Sequence, residues 1–285
     1  MRAVALDVYD SLNSDLKAIS AWAAKWLVKY NHTKTEQVTY TRKRDMSAFH
    51  KNGLNIKGQF KPGPVQCPHP PLSFYGTEIP QSPNVKIVGL TISHNLNWST
   101  HIMNVHRKAN RSLYLLRRAR PVLRPAALST IYKSFIRSQV EYCCPIWMGA
   151  GVTLMNSLDR IQTRAIRILG NIEGFKLQSL AHRRGVAAMS VFHRLINREA
   201  PTPLHSLIPQ EFKSQRFSRS IFPPAFKIPK TSAADYWTRS CIPLLTHVWN
   251  TAVPPRTRQI IDKQTFKLAV NGGDDLGIAF LKLKN

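Results

Sequence analysis

Between Trp98 and Arg120 the chain reads WSTHIMNVHRKANRSLYLLRRAR, and no other stretch restricts the fold as strongly. Ile102, Val105, Ala109, Leu113 and Leu116 recur at steps of three and four, which keeps them on one stripe of a 3.6-residue helix. The stretch is expected to form one amphipathic helix with that stripe against a core. Arg107, Arg111, Tyr114 and Arg118 are spaced by four, three and four and fall on the opposite face. Guanidinium groups pair with phosphate oxygens, and a ring among them can stack on a base or sugar. This face therefore has the make-up of a groove for a nucleic-acid backbone. A merely solvated charged face is the competing reading.

Charge weighs on that choice. The chain's 285 residues carry 41 Lys and Arg against 15 Asp and Glu, a net +26. This exceeds what solubility needs and calls for an anionic partner, nucleic acid first and an anionic membrane surface second. Residues 98–200 hold 17 Lys and Arg against 4 Asp and Glu, half of the net charge. No apolar run approaches the roughly 20 residues of a bilayer span. Residues 1–10 lack the basic segment and apolar core of a signal peptide. The expectation is an intracellular protein of nucleus or cytoplasm, neither secreted nor membrane-bound. Four cysteines, at 67, 143, 144 and 241, make no Cys-x-x-Cys pair and are expected to be reduced thiols.

In chain order, Leu12, Leu16, Ile19, Ala23 and Trp26 predict a helix over 11–30, with Asp10 or Ser11 as its N-cap. EQVTYTRKR alternates like a half-buried strand, and residues 46–72, crowded with Gly and Pro, read as a long loop. Cys67 and His69 lack a second ligand pair, so no metal site is expected there. SFYGTEI and VKIVGLTI, separated by Pro-Gln-Ser-Pro at 80–83, read as one hairpin. A helix with Leu128, Ile131 and Phe135 should start near Pro125. Another should span Val152–Leu169, with Leu154, Leu158, Ile161, Ala165 and Ile168 on one stripe and Gly170 as the stop. It carries a second basic face, Arg160, Arg164 and Arg167. Beyond Pro201 the prolines predict a loosely structured tail, with short helices near Thr246–Asn250 and Gln264–Val270.

This order of elements resembles the C-terminal half of a LINE-type (non-LTR) retrotransposon reverse transcriptase. Members carry a two-tryptophan helix leading into an Asn-x-x-Lys-Thr turn, matched here by Trp22, Trp26, Asn31, Lys34 and Thr35. A small-residue hairpin follows as FYGTEI, then VKIVGLTI with Val88 where Leu is usual, then the thumb entry Leu96, Asn97, Trp98 and His101-Ile102. IYKSFIRSQVEYCCPIWMGA is similar to the segment after the thumb. HVWNTAVPP resembles the terminal Trp-Asn-x-Leu-Pro, with Ala252 departing.

The resemblance implies an α+β fold. A small antiparallel palm remnant with a primer-grip-like hairpin would occupy 1–95, a mostly α-helical thumb-like domain 96–200 and a Pro-rich tail 201–285. The intact family holds Mg²⁺ on palm carboxylates, including an aromatic-x-Asp-Asp pair whose place would lie before Met1. Asp7 and Asp10 are not adjacent, and the only adjacent carboxylates, Asp274 and Asp275, stand at the wrong end and read as a polar turn. No cofactor is therefore expected in this chain. Lys34 matches a family lysine near the incoming nucleotide, a role empty without metals. The expected partners are RNA, DNA or hybrid duplex, with association to an N-terminal reverse transcriptase fragment. A non-catalytic basic RNA-binding protein and a translated transposon relic are the alternatives.

Overall fold

The computed structural model describes residues 2–31, 34–40, 72–170, 177–212, 225–228, 238–273 and 276–282. The chain divides into two units, Met1–Thr100 and His101–Asn285. Its fold is α+β, two small antiparallel sheets in the first unit and a helical second unit.

In the first unit α1 spans Arg2–Lys25, earlier at both ends than the helix expected over 11–30. It stops because Leu27 turns left-handed, φ 56°, so that the Val28 N–H reaches the Ala23 carbonyl at 2.9 Å. That is the Schellman closure, made here without glycine. Tyr9 and Ala23 are buried, and Leu16 packs on a cluster of Tyr9, Leu72, Phe74 and Ile79. The rest of the expected stripe faces out: Trp22 is 50% and Trp26 62% exposed.

The two runs expected to pair as one hairpin each form their own. β1 (Ser73–Phe74) pairs with β2 (Thr77–Glu78), and β3 (Asn84–Ile87) pairs with β4 (Leu90–Ser93), in register Val85 to Ile92. The reason lies in Tyr75-Gly76 and Val88-Gly89, whose φ values are all positive, between 47° and 82°. Two-residue loops with both central residues left-handed match the twist of a hairpin, whereas Pro-Gln-Ser-Pro joins one hairpin to the next. The strand expected at 36–44 is, within 34–40, a single bridge from Gln37 to Gln81. The remainder of that strand, the loop at 46–72 with Cys67 and His69, and the Asp274-Asp275 turn lie outside the described residues.

α2, Ser99–Ala119, buries Ile102, Ala109, Leu113 and Leu116 as the periodicity predicts, with Val105 half-buried. α3 starts at Pro125 and runs to Ile131, then passes through a π-helical turn, Tyr132–Arg137, into α4, Ser138–Glu141. Thr130, Ser134 and Ser138 hydroxyls donate to carbonyls four residues back along this helix. α5 (Cys144–Trp147) follows. α6 occupies Val152–Leu169, and Gly170 ends it at φ 78°, ψ −168°, a region essentially closed to residues with a Cβ.

α7, Leu180–Ile196, forms the centre of this unit, with the Ser179 hydroxyl capping its start. The short helices expected in the tail are longer and are packed: α8 (Cys241–Ala252), α9 (Pro255–Arg258), α10 (Lys263–Gly272) and α11 (Leu276–Lys282). Trp249 stacks on Phe266 at 5.5 Å, Phe266 stacks on His193 at 4.1 Å, and Phe192 meets Trp249 edge-on. Cys143, Cys144 and Cys241 are free thiols. Burial pushes Cys144 up to about 12 and Cys241 up to about 11, which keeps both unreactive. No helix among the described residues is long and apolar enough to cross a membrane.

Candidate nucleic-acid interface

The face of α2 opposite its buried stripe is exposed along its length, with Arg107, Arg111, Tyr114 and Arg118 all open to solvent. Arg118 lies over the Tyr114 ring at 6.0 Å from its centroid, so cation and ring form one element. Arg107 Nη1 donates to the Asn104 side chain at 3.0 Å. On α6, burial of Met155, Leu158, Ile161, Ala165 and Leu169 leaves Arg160, Arg164 and Arg167 exposed.

The structure brings the two rows together at one point. Arg164 Nη1 donates to Asn110 Oδ1 on α2 at 2.8 Å, and Asn110 Nδ2 lies 3.1 Å from Nδ1 of His106, one turn earlier. His106 titrates below its ordinary value because it is partly buried and because Arg164 is near. Periodicity singled out neither His106 nor Asn110, although their four-residue spacing on the flank of the basic face was there to be read. Lys34, in the first unit, is exposed on a turn closed by its own N–H to the Asn31 carbonyl at 3.2 Å.

The acidic groups of this region are engaged elsewhere. Glu141 holds Arg183 through two contacts of 2.5 and 3.0 Å, and Asp159 holds the buried Arg184 at 2.5 Å. Glu199 pairs with Arg194 at 3.8 Å. Among the described residues no carboxylate neutralises Arg107, Arg111, Arg118, Arg160, Arg164 or Arg167. Six uncompensated guanidinium groups on two neighbouring helices raise a positive potential that falls off over about 10 Å at ordinary salt.

No family model matches the chain, and no solved structure does. Over 180 residues the chain is 24% identical to the probable RNA-directed DNA polymerase from transposon X-element of Drosophila melanogaster. The aligned part is 62% of this chain and 17% of that protein, so the chain spans a small fraction of its relative. The similarity supports a reverse transcriptase-like relationship.

Proposed function

We propose that this chain is the end of the palm, the thumb and the tail of a LINE-type reverse transcriptase, and that it holds RNA, DNA or hybrid duplex without selecting sequence. The observation that carries the reading is the pair of uncompensated arginine rows on α2 and α6, joined through Arg164 and Asn110. Guanidinium groups on a helix face reach phosphates, which position a duplex but carry no base information. Binding is therefore tight at low salt and nearly indifferent to sequence. Each phosphate contact contributes ~0.9 to the slope of log affinity against log salt on a duplex. Replacing Arg107, Arg111 and Arg118 by Gln is expected to lower that slope by about two to three units. Tyr114→Ala, if the ring stacks on a base or sugar, is expected to cost about 1–3 kcal/mol with the slope unchanged. Titrating labelled hybrid duplex at several salt concentrations reads both effects. An unchanged slope in the triple variant would return the α2 face to ordinary solvated charge.

On the same reading this chain does not polymerise by itself. Its one Asp-Asp pair, at 274–275, is not in an aromatic-x-Asp-Asp setting, and no other adjacent carboxylates occur. Metal-held carboxylates activate the primer hydroxyl and stabilise the leaving pyrophosphate, and such groups would come from an N-terminal reverse transcriptase fragment bound alongside. The exposed Trp22 and Trp26 on α1 support that association, since an aromatic face of this kind seeks cover. Purified chain incubated with primer, template, nucleotides and Mg²⁺ is expected to give no extension; extension lost on mutating any aspartate would sink the idea.

A further inference from the structure

α2 and α6 meet through a relay of three side chains. Arg164 Nη1 donates to Asn110 Oδ1 at 2.8 Å, and Asn110 Nδ2 sits 3.1 Å from Nδ1 and 3.3 Å from Nε2 of His106. An amide N–H requires a lone pair, so the ring nitrogen that accepts it carries no proton. The relay thus fixes a neutral imidazole beside a permanent cation, on the flank of the basic face. Arg164 is exposed and has further N–H groups to offer an anion.

Resting on the nucleic-acid reading above, we propose that His106, Asn110 and Arg164 form one proton-linked phosphate site. A phosphodiester oxygen pairs with the Arg164 guanidinium, and His106 takes a proton from solvent. The Asn110 amide turns over, so that Oδ1 accepts from the new imidazolium N–H instead of from Arg164. Two adjacent cations then face one anion, a state that is stable with the phosphate and unstable without it.

The charges around the ring agree with this order of events. Arg164 is the charged neighbour that, with burial, holds His106 below its ordinary range in the free protein. Arg107 on α2 and Arg160 and Arg167 on α6 are exposed and of the same sign. Asp159, the acid on α6, is turned to Arg184. A bound phosphate is thus the group that can raise His106. Because binding raises the folded-state titration of His106, binding takes up a proton and tightens as pH falls through the histidine range.

The test is the affinity of the full chain for a short labelled hybrid duplex at fixed ionic strength, from about pH 7.5 to about pH 5.5, wild type against His106→Gln. Each unit of titration shift is a factor of ten, so wild type is expected to gain about three- to tenfold over the variant across that window. The histidine proton resonance that disappears in His106→Gln is expected to titrate at higher pH with duplex bound than without. Parallel pH profiles, or a resonance that does not move, with salt-dependent binding intact, would overturn the proton link and leave the nucleic-acid reading standing. Absence of salt-dependent binding altogether would overturn both.

Discussion

Asp159→Ala is expected to destabilise the second unit by about 3 kcal/mol, measured as a lower urea midpoint at unchanged slope. Arg184 is 1% exposed; its Nη2 meets Asp159 Oδ1 at 2.5 Å, while its Nε and Nη1 have no hydrogen-bond partner. Removing the carboxylate leaves a guanidinium charge out of water with nothing to balance it. Asp159 is itself 34% exposed, so water replaces part of what it supplies. The cost therefore falls at the low end of the roughly 3–5 kcal/mol seen for broken buried pairs. Arg184→Met removes the desolvated charge as well as the pair and is expected to be near neutral or stabilising. Equal losses in the two variants would show that Arg184 contributes through its packing and not through its charge.

Trp249→Ala is expected to cost about 3–5 kcal/mol, the range for deleting a large aromatic side chain from a core that cannot collapse. Trp249 is 1% exposed, with Phe192, His193 and Phe266 around its ring. Its Nε1 has no hydrogen-bond partner, so Trp249→Phe keeps an aromatic ring and removes an unpaired N–H. That milder change is expected to cost under about 1.5 kcal/mol. If urea unfolding put Trp249→Ala within about 1 kcal/mol of wild type, α8 would not be docked on α7 as described.

The features legible in the sequence are those that repeat. α2 and α6 announce themselves because each carries an apolar stripe at helical spacing over five turns or so, and Gly170 marks an end that only glycine suits. The arginines opposite the stripes are exposed for the same reason. Features set by a single residue or by a distant partner were not legible. Tyr75-Gly76 and Val88-Gly89 make two hairpins where spacing alone suggested one. Trp249 and Phe266 stand in a proline-rich stretch whose local pattern is weak, and their burial comes from α7, far away in the chain. Arg183 and Arg184 counted towards a basic surface, yet one is held by Glu141 and the other is buried on Asp159. Net charge therefore overstates what a phosphate backbone meets. His106 was passed over because a lone histidine on a helix flank carries no pattern; the relay to Arg164 exists only once α6 lies beside α2.

The π-helical turn at Tyr132–Arg137 solves a problem of gearing. Leu128, Tyr132, Ile136 and Val140 are all buried, each four residues after the last. On a 3.6-residue helix a strict step of four slips by about 40° each time, and the fourth member of such a row would swing out of the core. Winding the middle of the row more loosely lets it count in fours and stay in line. The consequence is an asymmetry in what the segment tolerates. Substituting a solvent-facing residue of this turn leaves the count intact. Deleting one residue restores an ordinary helix and rotates all that follows by about 100°. Glu141 would then point away from Arg183, and a change invisible to helix content would uncouple this helix from α7.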